Sequence, residues 1–148
     1  MMRKLAAIVM AVCLPTLACA QSGVWTGKVT GTGIGLLYGP RGGEPEFSLA
    51  CVRGTREVLA IAYNVKPTNE DLMTLRFDNQ VFDFPVKPQA LKEGKMLQAA
   101  AKVTPELLGA IRTAKTIRGA YGAARLGPYA APPAELAGAF ATRCGPLV

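Results

Sequence analysis

The chain has 148 residues, with 17 Lys and Arg against 10 Asp and Glu, and no His at all. The missing imidazole excludes Ser-His and Cys-His catalysis and the usual zinc sites. The net charge of +7 is scattered along the chain and not interleaved with aromatic residues, which argues against nucleic acid as a partner and leaves attraction to anionic polymers physically open.

Residues 1–20 read as an export signal. Arg3 and Lys4 form a short positive start, and Leu5 to Leu14 is an uninterrupted apolar run. Ala18-Cys19-Ala20 then supplies a small-x-small cleavage site, which makes Gln21 the first mature residue. The apolar run, about ten residues, is too short for a membrane helix, which needs roughly 18, and no later stretch approaches that length. A competing pattern, Leu17-Ala18-Cys19, would anchor the chain through a lipid on Cys19, although Thr16 stands where such signals usually have Leu. A periplasmic or secreted location is therefore expected, with no transmembrane segment in the mature chain. Residues 21–148 are enough for a single β-rich domain with a real core. Loss of Arg3 and Lys4 lowers the net charge from +7 to +5.

Cleavage also removes Cys13 and Cys19, leaving Cys51 and Cys144. An even pair in an oxidising compartment reads as one disulfide. Closing a loop of roughly ninety residues removes enough chain entropy from the unfolded state to contribute about 4.5 kcal/mol.

Taken in order, Val24 to Thr30 is a first strand with Trp25 as a core anchor. Gly31 to Gly39 invites comparison with a dinucleotide loop, but Leu36 stands where the third glycine belongs and no helix pattern follows, so no cofactor is expected. A hairpin fits better, with Ile34, Leu36 and Tyr38 on one face and Leu37 on the other. After a Pro40–Gly43 loop, Phe47, Leu49 and Cys51 alternate along an apolar strand face. Glu57 to Asn64 is apolar on both faces, so it is expected in the middle of a sheet with its Val58, Ala60, Ala62 face covered. Leu72 to Phe77 turns inward with Met73, Leu75 and Phe77, and Asp78-Asn79-Gln80 leads into Val81 to Phe84. Lys95 to Val103 fits either a strand or a helix and is read as a strand, since it must stop before Thr104-Pro105.

From here the pattern changes. Thr104 is an N-cap with Pro105 and Glu106 in the first turn, and Leu107, Leu108 and Ile111 form a helical stripe ending near Thr113. Lys115 to Tyr121 returns to strand. A Gly-, Ala- and Pro-rich loop then leads to Pro132-Pro133, which opens a second helix. Leu136, Phe140 and Cys144 lie along one side of it, and Gly145 is placed for a left-handed cap. Strand following strand predicts a mainly β fold: an antiparallel β-sandwich or partly open barrel of seven to eight strands, with two short helices near the C-terminus. The alternative is an α+β arrangement.

Few side chains offer chemistry. The mature chain has two serines, Ser22 and Ser48, neither with an evident base. Glu44 and Glu46 would share a face if the strand began that early, as a glycosidase acid pair requires, and Asp78 and Asp83 could oppose each other across a hairpin. Turn chemistry accounts for Asp78-Asn79 equally well, and the run lacks a calcium-loop pattern, so no metal site is expected. The most suggestive basic set is Arg112, Lys115, Arg118 and Arg125, a candidate surface for an anionic glycan or acidic partner, although Lys115 and Arg118 differ in strand parity.

The export signal and four further features together resemble small exported proteins of Gram-negative bacteria. The four are Trp25, then Tyr38-Gly39 ahead of Phe47-Ser48-Leu49-Ala50-Cys51, then Leu107-Leu108-x-x-Ile111-x-x-Ala114-Lys115-x-Ile117, and a closing Phe140-x-x-x-Cys144. The resemblance implies a periplasmic, mainly antiparallel β domain with one disulfide and no assigned activity. Periplasmic lysozyme inhibitors share the size, export and disulfide, but their inhibitory loop is not found here. The expectation is a non-catalytic protein that binds an envelope component or a protein partner. One alternative is an inhibitor or immunity protein of a cell-wall hydrolase, acting through Gly39 to Glu46 or Asn64 to Asp71. Another is a carboxylate-dependent glycan hydrolase.

Overall fold

The computed structural model describes residues 23–88 and 96–145; the expected leader, its expected cleavage site and Cys19 lie outside them. In chain order the strands are β1 Gly23–Thr30, β2 Gly33–Pro40, β3 Phe47–Val52, β4 Glu57–Tyr63, β5 Leu72–Phe77, β6 Gln80–Pro85 and β7 Met96–Lys102. Helix α1 Pro105–Thr113, strands β8 Thr116–Tyr121 and β9 Ala124–Ala130, and helix α2 Ala134–Cys144 follow. The fold is mainly β. One sheet has five strands in the order β1-β2-β3-β4-β7 and the other four in the order β6-β5-β8-β9. Every ladder is antiparallel. Among the described residues a bridge from Val86 to Ala99 ties the sheets along one side, and the sheets do not close into a barrel.

Period-2 alternation decides which side of each strand faces the core. Leu36, Leu49, Ala60 and Ala99 pair in sequence across the five-stranded sheet, and all are fully buried. β4 is indeed an interior strand: its small-residue face, Val58, Ala60 and Ala62, is the one covered, while Leu59, Ile61 and Tyr63 stay half-buried. From the four-stranded sheet, Met73, Leu75, Phe77, Phe84 and Ile117 point into the same core. An aromatic group joins the sheets, with the Tyr129 ring stacked on Phe47 at 5.1 Å and tilted against Tyr38 at 4.9 Å. The Trp25 indole N–H donates to the Ala130 carbonyl at 2.6 Å, so Trp25 anchors β1 to β9.

Helix α1 starts as its sequence dictates, with the Thr104 hydroxyl accepting from the Leu107 N–H at 3.1 Å and Pro105 in the first turn. Helix α2 lays Ala137, Phe140 and Cys144 on the core, and Cys144 is bonded to Cys51 with the two Cα atoms 5.5 Å apart, inside the range a disulfide requires. The helix is thereby fastened to β3 on the face that carries the buried Phe47, Leu49 and Cys51.

Two expectations fail. Gly145 is not a left-handed cap: its φ of −55° and ψ of −56° are right-handed, and its N–H reaches the Ala141 carbonyl, continuing the helical bonding. The segment read as a Gly- and Pro-rich loop contains a ninth strand, β9. Gly127-Pro128 interrupts its hydrophobic pattern because it forms a bulge: Ile117 opposes Tyr129 and Gly119 opposes Leu126, so Arg118 alone faces both residues. Gly127 has a φ of +75°, and a side chain there would strike the Ile117 carbonyl. As the last strand of its sheet, β9 tolerates a proline, which has no ladder N–H to give.

Candidate functional site

The outward face of the four-stranded sheet carries the candidate site. On β5, Thr74 and Arg76 alternate with the buried Met73, Leu75 and Phe77, and on β8, Thr116, Arg118 and Ala120 alternate with Ile117 and Tyr121. The register places Arg76 directly opposite Arg118 and Thr74 opposite Ala120. Both arginines are exposed. They line a surface cleft of about 340 Å³ together with Thr116, Asp78 and Asn79.

Like charges directly opposite across a ladder are destabilising, and nothing within the cleft pairs with this one. Among the described residues the sole ion pair is Lys87 with Glu57, at 2.6 Å, away from the cleft. Asp78 is the one acid in the lining, and its carboxylate is taken up by backbone. Oδ1 accepts from the Lys115 and Thr116 N–H groups at 3.0 Å each, and Oδ2 from Lys115 at 3.1 Å. Its own N–H donates to the Thr116 carbonyl at 3.0 Å. These bonds hold Asp78 at a φ of 53°, a conformation that Asp tolerates better than most residues. They also fix the β5–β6 turn against the start of β8, so the cleft is a braced surface.

Of the four basic residues singled out by sequence, the structure places Arg118 in this cleft. Arg125 lies on the same exposed face one pair further along, opposite Ala120, with its guanidinium donating to the Gly122 carbonyl at 3.1 Å. Arg112 sits exposed in the last turn of α1, and Lys115 is exposed between α1 and β8; neither lines the cleft. The residue that sequence reasoning missed is Arg76. Its outward parity was legible, but the pairing of β5 with β8 spans two strands and a helix.

The acid pairs do not assemble. Glu44 and Glu46 precede β3 and are exposed, and Asp83 faces Thr74 across the ladder, with Asp78 committed elsewhere. Among the described residues no three acidic or cysteine side chains are placed to hold a metal ion, and no helix is long and apolar enough to cross a membrane.

A second, smaller cleft of about 90 Å³ lies at the β1–β2 edge and includes Tyr38, Gly43 and Pro45. Beside it runs the Gly39 to Glu46 connection, braced by Gly43 N–H to the Pro40 carbonyl at 2.9 Å and Glu46 N–H to the Tyr38 carbonyl at 2.7 Å. Burial raises the Tyr38 hydroxyl above its ordinary value, and the Glu46 charge adds to this. The same two causes, in the same order, push Tyr129 up to about 12. The other connection of interest, Asn64 to Asp71, is pinned by the buried Tyr121, whose hydroxyl accepts from the Thr68 N–H at 2.9 Å and donates toward the Glu70 carbonyl at 3.0 Å.

Compared with known families, with curated proteins and with solved structures, the chain matches none.

Proposed function

We propose that this chain is an exported, non-catalytic binding protein that holds an anionic component of the cell envelope on the outward face of its four-stranded sheet. The carrying observation is Arg76 set opposite Arg118, both exposed, in a cleft whose only acid is occupied by backbone amides. Two facing guanidinium groups attract an anion and gain from it, because an anion removes their mutual repulsion. The N-terminal leader and the Cys51–Cys144 disulfide support a periplasmic or secreted setting, where anionic envelope polymers are abundant.

The test is retention of envelope material on immobilised mature chain. Wild type retains an anionic component that salt releases, and the Arg76→Gln, Arg118→Gln double variant does not. Retention unaffected by the double variant refutes the reading, and so does glycan turnover that Glu46→Gln abolishes. The Gly39 to Glu46 turn favours a second reading, as an inhibitor of a cell-wall hydrolase. Arg41 to Glu44 are exposed on a turn braced at both ends, the arrangement a blocking loop needs. A single hydrolase partner lost on Arg41→Glu would select it.

A further inference from the structure

We infer that the group seated between Arg76 and Arg118 is a phosphoryl group carried on a sugar-like scaffold. This rests on the anion-binding reading above and names its ligand class. A carboxylate offers two coplanar oxygens, which one guanidinium fork can engage together, whereas a phosphoryl group spreads three oxygens over a tetrahedron. Here two arginines stand on adjacent strands, opposite each other in register, and line one cleft. That geometry suits a tetrahedral group, which presents oxygens to both at once.

The rest of the cleft is polar and not basic. The Thr116 hydroxyl and the Asn79 carboxamide lie in the lining beside the arginines, and both donate and accept, as sugar hydroxyls require. A volume of about 340 Å³ exceeds what a bare phosphate fills and sits at the small end of ligand sites, which run from roughly 300 to 1,000 Å³. Asp78 contributes one negative charge, but three backbone hydrogen bonds keep its carboxylate turned to Lys115 and Thr116. The bulge at Gly127-Pro128 faces Arg118 alone, beside the cleft, and bulges are common next to binding and active sites. A phosphorylated glycan and a lipid headgroup present the same chemistry to this cleft.

Glucose 1-phosphate, gluconate, and phosphatidylcholine vesicles with and without phosphatidic acid separate the possibilities when titrated into the full mature chain at constant ionic strength, with binding followed by amide chemical shifts. Saturable binding of glucose 1-phosphate is expected, with shifts centred on Arg76, Asn79, Thr116 and Arg118. At least a tenfold loss should follow either Arg76→Gln or Arg118→Gln, with the dispersed spectrum of the fold retained. Binding confined to the phosphatidic acid vesicles keeps the phosphoryl group, assigns it to a lipid and overturns the sugar-like scaffold. Equal binding of gluconate overturns the phosphoryl assignment, as do shifts centred elsewhere, single variants that bind like wild type, or no binding of either phosphorylated probe. In each of those cases, envelope retention that still depends on both arginines leaves the broader anion-binding reading standing. Loss of that retention as well removes both.

Discussion

At the centre of the outer face of the five-stranded sheet, Leu37, Ser48, Ala50, Leu59, Ile61 and Tyr63 stand side by side; none of the six is charged and all are buried or half-buried, while Glu57 and Lys102 stand opposite each other at the face's end. Ser48 and Tyr63 share a hydroxyl contact at 3.3 Å. On the outer face of the four-stranded sheet, Arg76, Arg118, Arg125 and Asp83 stand exposed around Thr74 and Ala120, which are too small to cover them. Both faces come from the same alternation of side chains about a pleated backbone. The first gains by self-packing and reads as scaffold, whereas the second sets like charges side by side at a cost in stability. Like charges set side by side, with no ion pair to them among the described residues, point to something outside the chain.

The scaffold side should fail first when its covalent tie is removed. The disulfide closes a separation of 93 residues, and the chain-entropy estimate for such a loop is about 4.5 kcal/mol. Replacing Cys51 and Cys144 together by Ala is expected to lower the urea unfolding free energy by about that amount, and mild reduction of the wild type should do the same. A loss of less than about 1 kcal/mol would mean that Phe140 and its neighbours hold α2 on the sheet without help.

Between the two sheets lies Tyr129, and its expected effect is smaller. Its folded value of about 12 lies above the ordinary tyrosine value of about 10. At neutral pH both the folded and unfolded chains keep the phenolic proton, so the group contributes no pH dependence there. Between about 10 and 12 the unfolded chain has given up the proton that the folded chain retains, so stability falls as pH rises, by at most about 1.4 kcal/mol per unit. Tyr38 acts in the same direction. Tyr129→Phe keeps the ring against Phe47 and should flatten this alkaline decline in melting temperature. Unchanged slopes would place the cause in other groups.

Most of the scaffold was legible because it obeys short-range rules. Alternation marks β1 to β6 and β8, Thr104-Pro105 marks the start of α1, and the expected loss of residues 1–20 leaves two cysteines with one way to pair. β9 escaped because Gly127-Pro128 looks like a chain break until its bulge is seen against β8. The candidate site was half legible. Arg118 belonged to a visible basic group, whereas Arg76 stood alone in sequence and met it only through a non-local ladder. A cleft assembled from strands far apart in the chain leaves no local pattern, since register between distant strands follows from the packing of their buried faces.

The smallest effect expected is the sharpest test of the contrast. If Arg76 and Arg118 strain the free protein, Arg118→Gln should raise its stability in low salt, by about 0.2–1 kcal/mol on the scale of cross-strand pairs. The gain should fade near 1 M salt, where the Debye length shrinks to about 3 Å, and Arg76→Gln should behave alike. The double variant should gain little beyond either single change, because the first substitution already removes the repulsion, and this non-additivity distinguishes a coupled pair from two independent surface charges. A loss of more than about 1 kcal/mol in either single variant would mean that the arginine stems pack on the sheet as structure. In that event the two faces would differ in polarity alone, and binding lost in the variants would no longer speak for a ligand.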